Sequence, residues 1–514
     1  VREALPDIYL SLSVDVLPEI REYERTSTTV INSYVGPVVR SYLTSLRRRL
    51  DAAGLAARLR IMQSNGGVMS ARAAIEKPSH IVESGPAAGV IAGHRLGQRL
   101  GLPNLITFDM GGTTAKASLI EDGQISRTTE YEVGAGISLS SRLVKGGGHA
   151  LKLPVVDVAE VGAGGGSIVW LDRSGALKVG PRSAGATPGP ACYGLGGTEP
   201  TITDVNVILG YSNPQQLAGG TVRLQAELAE KALGDAIARP LGRSLVDAAY
   251  GAFAVANATM IRAIKAVSTY RGRDPRDFAI LAFGGNGPIH AVAIARSLQL
   301  RRVVVPPAPG LFSSVGLLEA EPEQHFVRTF FRAIAAVDLA ELNREYERLA
   351  TLARGALADA GYPAADAEYA RLADLRYAGQ AYELTIPAPA GRWTREDLLH
   401  LAESFEREHE RTYGHRASGE PVEIVNLRLL ARLRRIAGPA FAPREAAAGA
   451  PGERPAYFGP EHGTRRTPIL RRGHLDPTPR SGPFIVEEYD ATLVVPPESA
   501  AWLDEHGNIL IEIG

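Results

Sequence analysis

One cysteine, Cys192, stands in 514 residues, so no disulfide can form within the chain and a cysteine-rich zinc site is excluded. Net charge is missing too. The 56 Lys and Arg balance 56 Asp and Glu, and that balance recommends neither a nucleic acid nor an anionic membrane surface as a partner. No apolar run approaches the ~18 residues of a membrane span. The first residues hold neither the basic stretch nor the apolar core that opens a secretory signal. These absences fit a soluble bacterial enzyme in a reducing cytoplasm. Lysine is scarce: seven leave 49 arginines of the 56 basic residues, a bias that points to genome composition more than to function. Hydrophobic residues make up 45%, and the length suits two to four domains.

Against this background the stretch from Leu105 to Ile120 is dense with information. An apolar run ends in Asp109, then come Gly111, Gly112, Thr113 and Thr114, and a second apolar run, Ala117 to Ile120, closes at Glu121-Asp122-Gly123. Turn chemistry predicts strand, tight turn, strand, whereas a P-loop or dinucleotide motif would run from a strand into a helix. Glycines let a backbone approach a polyanion, and turn N–H groups with threonine hydroxyls can line an anion site. Asp109 stands where strand meets phosphate, placed to hold the water of a bound Mg²⁺ or to accept a proton. An ordinary glycine-rich hairpin has the same composition, so the reading needs a second element.

That element is Ala279 to Ala291. An apolar strand runs into Gly284, Gly285, Asn286 and Gly287, and Pro288 stands at the first turn of an expected helix reaching Leu300. Proline is tolerated there because its missing N–H would be unpaired anyway, and a helix N-terminus behind glycines favours a phosphate or a polar sugar edge. Hairpin first and strand–Gly–Gly–helix later, the pair resembles the phosphate and adenosine motifs of the sugar kinase, actin and heat-shock chaperone superfamily.

Further segments narrow the resemblance. Ile61 to Met69, Glu83 to Gly89, Val161 to Ser167, Gly180 to Gly185, Pro188 to Gly194, Asp274 to Phe278 and Val486 to Pro497 are all similar to the hydantoinase A/5-oxoprolinase family, in the family's order. The fold this implies is α/β, a ribonuclease H-like lobe of the actin and sugar-kinase type, followed by an α+β segment and a small C-terminal β domain. The expected divisions are a nucleotide-binding lobe over 1–322, an α+β domain over 323–440, a linker over 441–466 and a β domain over 467–514. Members of the family begin with another lobe carrying a first phosphate motif, and this chain opens at Val1. It is therefore expected to be a fragment or a processed product that lacks that lobe and is inactive alone.

The resemblance implies an ATP- and Mg²⁺-dependent hydrolase of C–N bonds in cyclic amides or imides (hydantoinase, 5-oxoprolinase or lactamase), which phosphorylates the substrate carbonyl before the ring opens. This chain would be the A-type subunit of a hetero-oligomer with a B-type partner. Asp109 and Lys116 are the implied catalytic residues, Asp109 the Mg²⁺ residue through water, and Gly111, Gly112, Thr113, Thr114, Gly284, Gly285, Asn286 and Gly287 the nucleotide-binding set. Lys116 departs from the pattern, since many members carry a second acid there. Its ammonium replaces a cation that the missing acid would hold, or reaches the β- or γ-phosphate as a point charge, or lies at the solvent-exposed far end of the hairpin. A ketone carboxylase subunit is the alternative activity, and a non-catalytic ATP-sensing module a more distant one.

The remaining signals are local. Ser27 to Gly54 reads as a helix, Arg60 to Val68 as strand and turn, His80 to Ser84 as a strand, and Ala87 to Leu100 as a helix. Eleven glycines crowd residues 162–197; they either form tight turns that hold sheets together or face a phosphate or substrate. Ser244 to Asp247 and Thr394 to Asp397 are capping boxes. Ala437 to Pro460 reads as linker. His290 and Cys192 read as structural side chains, and Asp204 as either a cap or a polar site residue. His400, His409 and His415 lie nine and six positions apart, which does not place them on one helical face as a metal site would require.

Overall fold

A computed structural model describes residues 1, 3–129, 131–133, 148–359, 361–417, 419–433 and 452–514. Its centre is a nine-stranded mixed sheet. The strands Leu105–Met110 and Ala115–Glu121 form the expected hairpin, and Val158–Val161 adds antiparallel to the outer edge of the second. On the other side Ala279–Phe283 and Arg302–Val305 run parallel to Leu105–Met110. Parallel neighbours need crossovers, and the helix Gly287–Ser297 supplies the one between them.

The sheet is buried on both faces. Ile106, Phe108 and Met110 point into the main core, which they share with the helix Leu245–Val267 and the helix Gly287–Ser297. Leu105 and Ile120 point the other way, toward the helix Ser84–Leu100. Small side chains allow the close contact: a Cβ at Gly93 would stand 2.9 Å from Thr107.

The α+β architecture follows as expected. Glu323–Ala333, Val422–Leu433, Ala367–Tyr377 and Leu384–Ala388 make a four-stranded antiparallel sheet, covered by the helices Leu339–Asp359 and Arg395–Tyr413 around a second core. Thr394 closes its capping box with Asp397. The C-terminal β segment contributes twice. Gly452–Tyr457, Thr464–Leu470, Phe484–Glu487 and Thr492–Val495 form a small sheet of their own, while Ser499–Leu503 and Ile509–Ile513 extend the central sheet at Arg302–Val305.

Three local expectations change. The segment read as a strand at His80 to Ser84 is a 3-10 turn over Pro78–Ile81, and Ser84 already begins the next helix. Pro78 fixes φ at the first position of that turn, and Glu83 at φ +63 breaks the extended path. Within the stretch read as linker, residues 434–451 lie outside the described residues, and Gly452–Tyr457 is a strand paired with Thr464–Leu470. Cross-strand pairing outweighs its proline- and glycine-rich composition. The helix expected from Ser27 begins earlier and runs Glu22–Ala52. Among the described residues no helix is long and apolar enough to cross a membrane.

Candidate functional site

The hairpin, the adenosine-type loop and the start of the glycine belt meet at one place. Asn286 donates its backbone N–H to the Met110 carbonyl (3.1 Å) and its side-chain amide to the Gly111 carbonyl (3.3 Å). Gly165 N–H reaches that same Gly111 carbonyl at 3.0 Å, and Gly166 N–H the Gly112 carbonyl at 2.5 Å. A Cβ at Gly164 would lie 2.5 Å from Thr113 N. The belt's first glycines are therefore required by close backbone approach: they clamp the phosphate-type turn from beneath, leaving Gly112 and Thr113 exposed. Thr203 completes the clamp, donating both N–H and hydroxyl to the Gly165 carbonyl.

Gly284 is needed for two reasons. Its φ is +79, and a Cβ would collide with Asp109 Oδ1 and stand 2.5 Å from the Met110 carbonyl. Beyond it, Gly285 and Asn286 border a cleft of about 260 Å³ whose other walls include Tyr193, Thr203, Tyr489 and Asp490. Burial holds the Asp490 carboxyl above its ordinary pKa, with Glu488 adding to the effect.

Strand register supplies what the sequence did not. Asp109 pairs with Lys116 across the hairpin, and Lys116 with Glu160 on the next strand. Directly opposed residues share a sheet face, so the three make one row of acid, base and acid. Lys116 Nζ donates to Thr114 Oγ1 at 2.6 Å and lies 3.1 Å from Glu160 Oε1. Lys116 and Glu160 are each about one-fifth exposed, at 21% and 20%, so the expected choice between phosphate-facing and solvent-facing meets a third arrangement, a half-buried ion pair. Burial holds the Asp109 carboxyl above its usual range; Lys116 opposes that and Glu160 adds to it. Glu83 lies in the same field, raised by burial and then by Glu160, with Lys116 opposing. Sequence reading assigned no role to Glu83 or Glu160, since only strand register and the packing of helix Ser84–Leu100 bring them to the hairpin.

The remaining candidates settle as structural. Asp204 accepts N–H groups from Ala191, Cys192 and Thr201 and caps the helix Ile202–Ile208. Cys192 is fully buried and its thiol is pushed up by burial, then by Asp204, which leaves it unreactive. His290 is buried against Phe253, 2.7 Å from Asn257 Oδ1, and burial pushes its pKa down to about 3. His409 packs on Tyr377 and its Nδ1 meets the His415 carbonyl. Among the described residues no three His, Cys, Asp or Glu side chains are grouped to hold a metal.

An antiparallel Gly–Gly–Thr–Thr hairpin clamped against a strand–Gly–Gly–helix loop, with an acid at the junction, defines an α/β protein whose two glycine-rich loops meet at Asp109. The comparisons carry this to a family. Residues 25–326 match Hydantoinase/oxoprolinase, and residues 332–512 match the Hydantoinase/oxoprolinase C-terminal domain. The chain belongs to the hydantoinase/oxoprolinase family. It is 35% identical to caprolactamase subunit alpha of Pseudomonas jessenii, over 98% of this chain and 72% of that protein. It is 31% identical to the acetophenone carboxylase gamma subunit of Aromatoleum aromaticum, over 98% of this chain and 68% of that one. The crystal structure of the ATP-dependent caprolactamase from Pseudomonas jessenii superposes with a TM-score of 0.85 at 34% identity, covering 100% of this chain and 74% of that one.

Proposed function

We propose that this chain is the ATP-using, A-type subunit of an enzyme that opens a cyclic amide or imide by phosphorylating its carbonyl oxygen. The observation that carries the reading is the clamped Gly111–Thr114 turn with Asp109 and Gly284 at its base, together with likeness to an ATP-dependent caprolactamase. An amide carbonyl is a poor electrophile and its ring nitrogen a poor leaving group. Transfer of the γ-phosphoryl group to the carbonyl oxygen releases ADP and turns that oxygen into part of a phosphate leaving group. One water then adds at carbon and the ring nitrogen leaves as an amine, giving an acyl phosphate; a second water attacks the same carbon, and phosphate departs with the former carbonyl oxygen. In such a transfer the protein supplies position and charge neutralisation. The Gly112 and Thr113 N–H groups and the threonine hydroxyls cradle phosphate, Gly285 and Asn286 face the sugar edge, and Asp109 holds a metal-bound water or takes the proton. Mg²⁺, when bound, would neutralise phosphate charge. A B-type companion subunit completes hydrolysis; the relatives' own names, subunit alpha and gamma subunit, support a divided enzyme.

Likeness to the acetophenone carboxylase subunit keeps a second reading in view, in which the phosphoryl acceptor is an enolate or bicarbonate. ADP release by the assembled enzyme, measured with caprolactam, hydantoin, 5-oxoproline and acetophenone, separates the two. Stimulation by a cyclic amide supports the first reading, and stimulation by the ketone with bicarbonate alone replaces it with the second.

Lys116 is assigned the role of a point charge at the phosphates, steered by Glu160. Lys116→Ala is expected to raise the KM for ATP or lower kcat about tenfold or more, because a charged hydrogen bond contributes ~1.5–3 kcal/mol. Steady-state ATPase kinetics check this. Kinetics indistinguishable from wild type would leave Lys116 with only its ion pair to Glu160.

A further inference from the structure

Three glycines set the helix Ser84–Leu100 against the central sheet. A Cβ would stand 2.8 Å from Leu105 at Gly97, 2.9 Å from Thr107 at Gly93 and 2.6 Å from Phe283 at Gly89, and Phe283 pairs with Asp109 in the sheet. The helix therefore runs antiparallel to Leu105–Met110. Leu105, Thr107 and Asp109 alternate onto the face it covers, and Lys116 and Glu160 share the row of Asp109 on that face. Glu83 stands six residues before Gly89, so at 1.5 Å per residue it lies roughly 9 Å beyond the level of Asp109, on the side of the Gly111–Thr114 turn. Open space lies there too: a Cβ added at Gly85, Gly111 or Gly112 would meet nothing within 4 Å.

Glu83 itself is held in a conformation that does not suit a glutamate. Its backbone is left-handed, with φ 63° and ψ 23°, a region that costs any residue with a Cβ. Such conformations persist where the surroundings impose them, and they gather at functional sites. Glycine would serve the backbone better, so the backbone gives no reason for a carboxylate here. The side chain caps no helix N–H, and among the described residues no hydrogen bond or ion pair holds it. Glu160, by contrast, is taken by Lys116. Burial and then Glu160 raise the Glu83 pKa while Lys116 opposes them, which suits a group that picks up a proton and returns it. We propose that Glu83 is the catalytic base, and then the acid, at the ring nitrogen of the cyclic amide, a role that rests on the cyclic-amide reading above. As the carbonyl oxygen attacks the γ-phosphorus, the carbonyl π pair forms the O–P bond and the P–O bond to ADP breaks with its pair on ADP. The ring N–H bond breaks in the same step: its proton goes to Glu83 and its electron pair becomes the C=N bond. When the first water adds at carbon, the C=N pair returns to nitrogen, which takes the proton back from Glu83. The freed carboxylate then accepts a proton from the added water. The acceptor is thereby limited to ring amides that carry an N–H.

Steady-state ADP release by the assembled enzyme, with caprolactam, hydantoin or 5-oxoproline as acceptor, tests this. Glu83→Gln and Glu83→Gly are each expected to lower the amide-stimulated kcat by roughly 10²–10⁴-fold, with the KM for ATP kept within about threefold. Because glycine relieves the left-handed backbone at residue 83, Glu83→Gly should melt at or above the wild-type temperature while losing turnover, which a merely structural glutamate would not do. The stimulating amide methylated at its ring nitrogen, with no proton to give up, should not raise ADP release in the wild type. A wild type that none of the three acceptors stimulates ends the cyclic-amide reading, and this role falls with it. With a stimulated wild type, the role alone is overturned by any of three results: Glu83→Gln keeping more than about a tenth of turnover, Glu83→Gly losing turnover together with a lowered melting temperature, or the N-methylated amide stimulating as well as its parent.

Discussion

Asp109→Asn is expected to retain the fold and lose ATP turnover by roughly 10²–10⁴-fold in the assembled enzyme, the usual cost of removing a positioned acid–base group. The substitution keeps the size of the side chain, and Asp109 is only partly buried, so packing is little disturbed. What changes is charge. The row Asp109–Lys116–Glu160 loses one negative member, the water of any incoming metal loses its acceptor, and the Lys116 ammonium is left to Glu160 alone. Burial, countered by Lys116 and reinforced by Glu160, holds the Asp109 carboxyl above the ordinary range, as suits a group that takes up a proton. Coupled-assay ATPase rates with a matched thermal melt measure the effect. If more than about a tenth of wild-type turnover survives, against the loss expected for such a group, Asp109 is not the key carboxylate.

The second large effect concerns stability. Arg428 is buried and binds Asp374 through Nε at 2.8 Å and Nη2 at 2.7 Å, and its Nη2 also meets Glu19 Oε1 at 2.9 Å. Lys152, equally buried, stands 2.7 Å from Glu383 and 3.3 Å from Glu19. Asn426 and Thr385 donate to the remaining Asp374 lone pairs. The network ties the segment before the long helix, the strand near Lys152 and the α+β sheet into one body. Arg428→Met leaves Asp374 without its cation and Glu19 with Lys152 alone, and a buried pair broken on one side typically costs about 3–5 kcal/mol. Chemical denaturation should show that loss, and Asp374→Leu added to Arg428→Met should recover much of it.

The sign with pH follows from the same contacts. Burial pushes the Asp374 carboxyl up, but Arg428 and the hydrogen bonds from Arg428, Asn426 and Thr385 outweigh it and leave it depressed. A depressed carboxylate contributes stability that is fully present above its unfolded pKa and is lost as pH falls through its folded one. Acid unfolding should therefore begin below about pH 4, the unfolded carboxylate range. The double variant, lacking this carboxylate, should lose less stability over that window.

These effects also mark how far the sequence could be read. The hairpin at Asp109, the loop at Gly284 and the Thr394 capping box are local: their turn residues, glycines and caps lie within a few positions of one another, and the structure has them where they were expected. Glu160 is different. Its partnership with Lys116 depends on which strand lies beside the hairpin, and no periodicity within either strand encodes that. The Glu19–Arg428 contact joins residues 409 positions apart, each of which reads alone as an ordinary surface charge. The Gly452–Tyr457 strand was hidden by its composition, because proline and glycine signal breaks while pairing with Thr464–Leu470 is set by the fold. Glycines 164 to 166 could be counted, but their purpose, a backbone clamp under the Gly111–Thr114 turn, appears only in three dimensions.

Activation of a cyclic amide by phosphorylation of its oxygen at this site is most directly tested by isotope transfer. The assembled enzyme is supplied with ATP and a lactam or hydantoin labelled with ¹⁸O at the carbonyl, and the released phosphate is examined by mass spectrometry. Carbonyl phosphorylation predicts that each ring opening delivers the carbonyl ¹⁸O to inorganic phosphate. Ring opening that leaves the phosphate unlabelled, with the ¹⁸O retained in the product carboxylate, would contradict it.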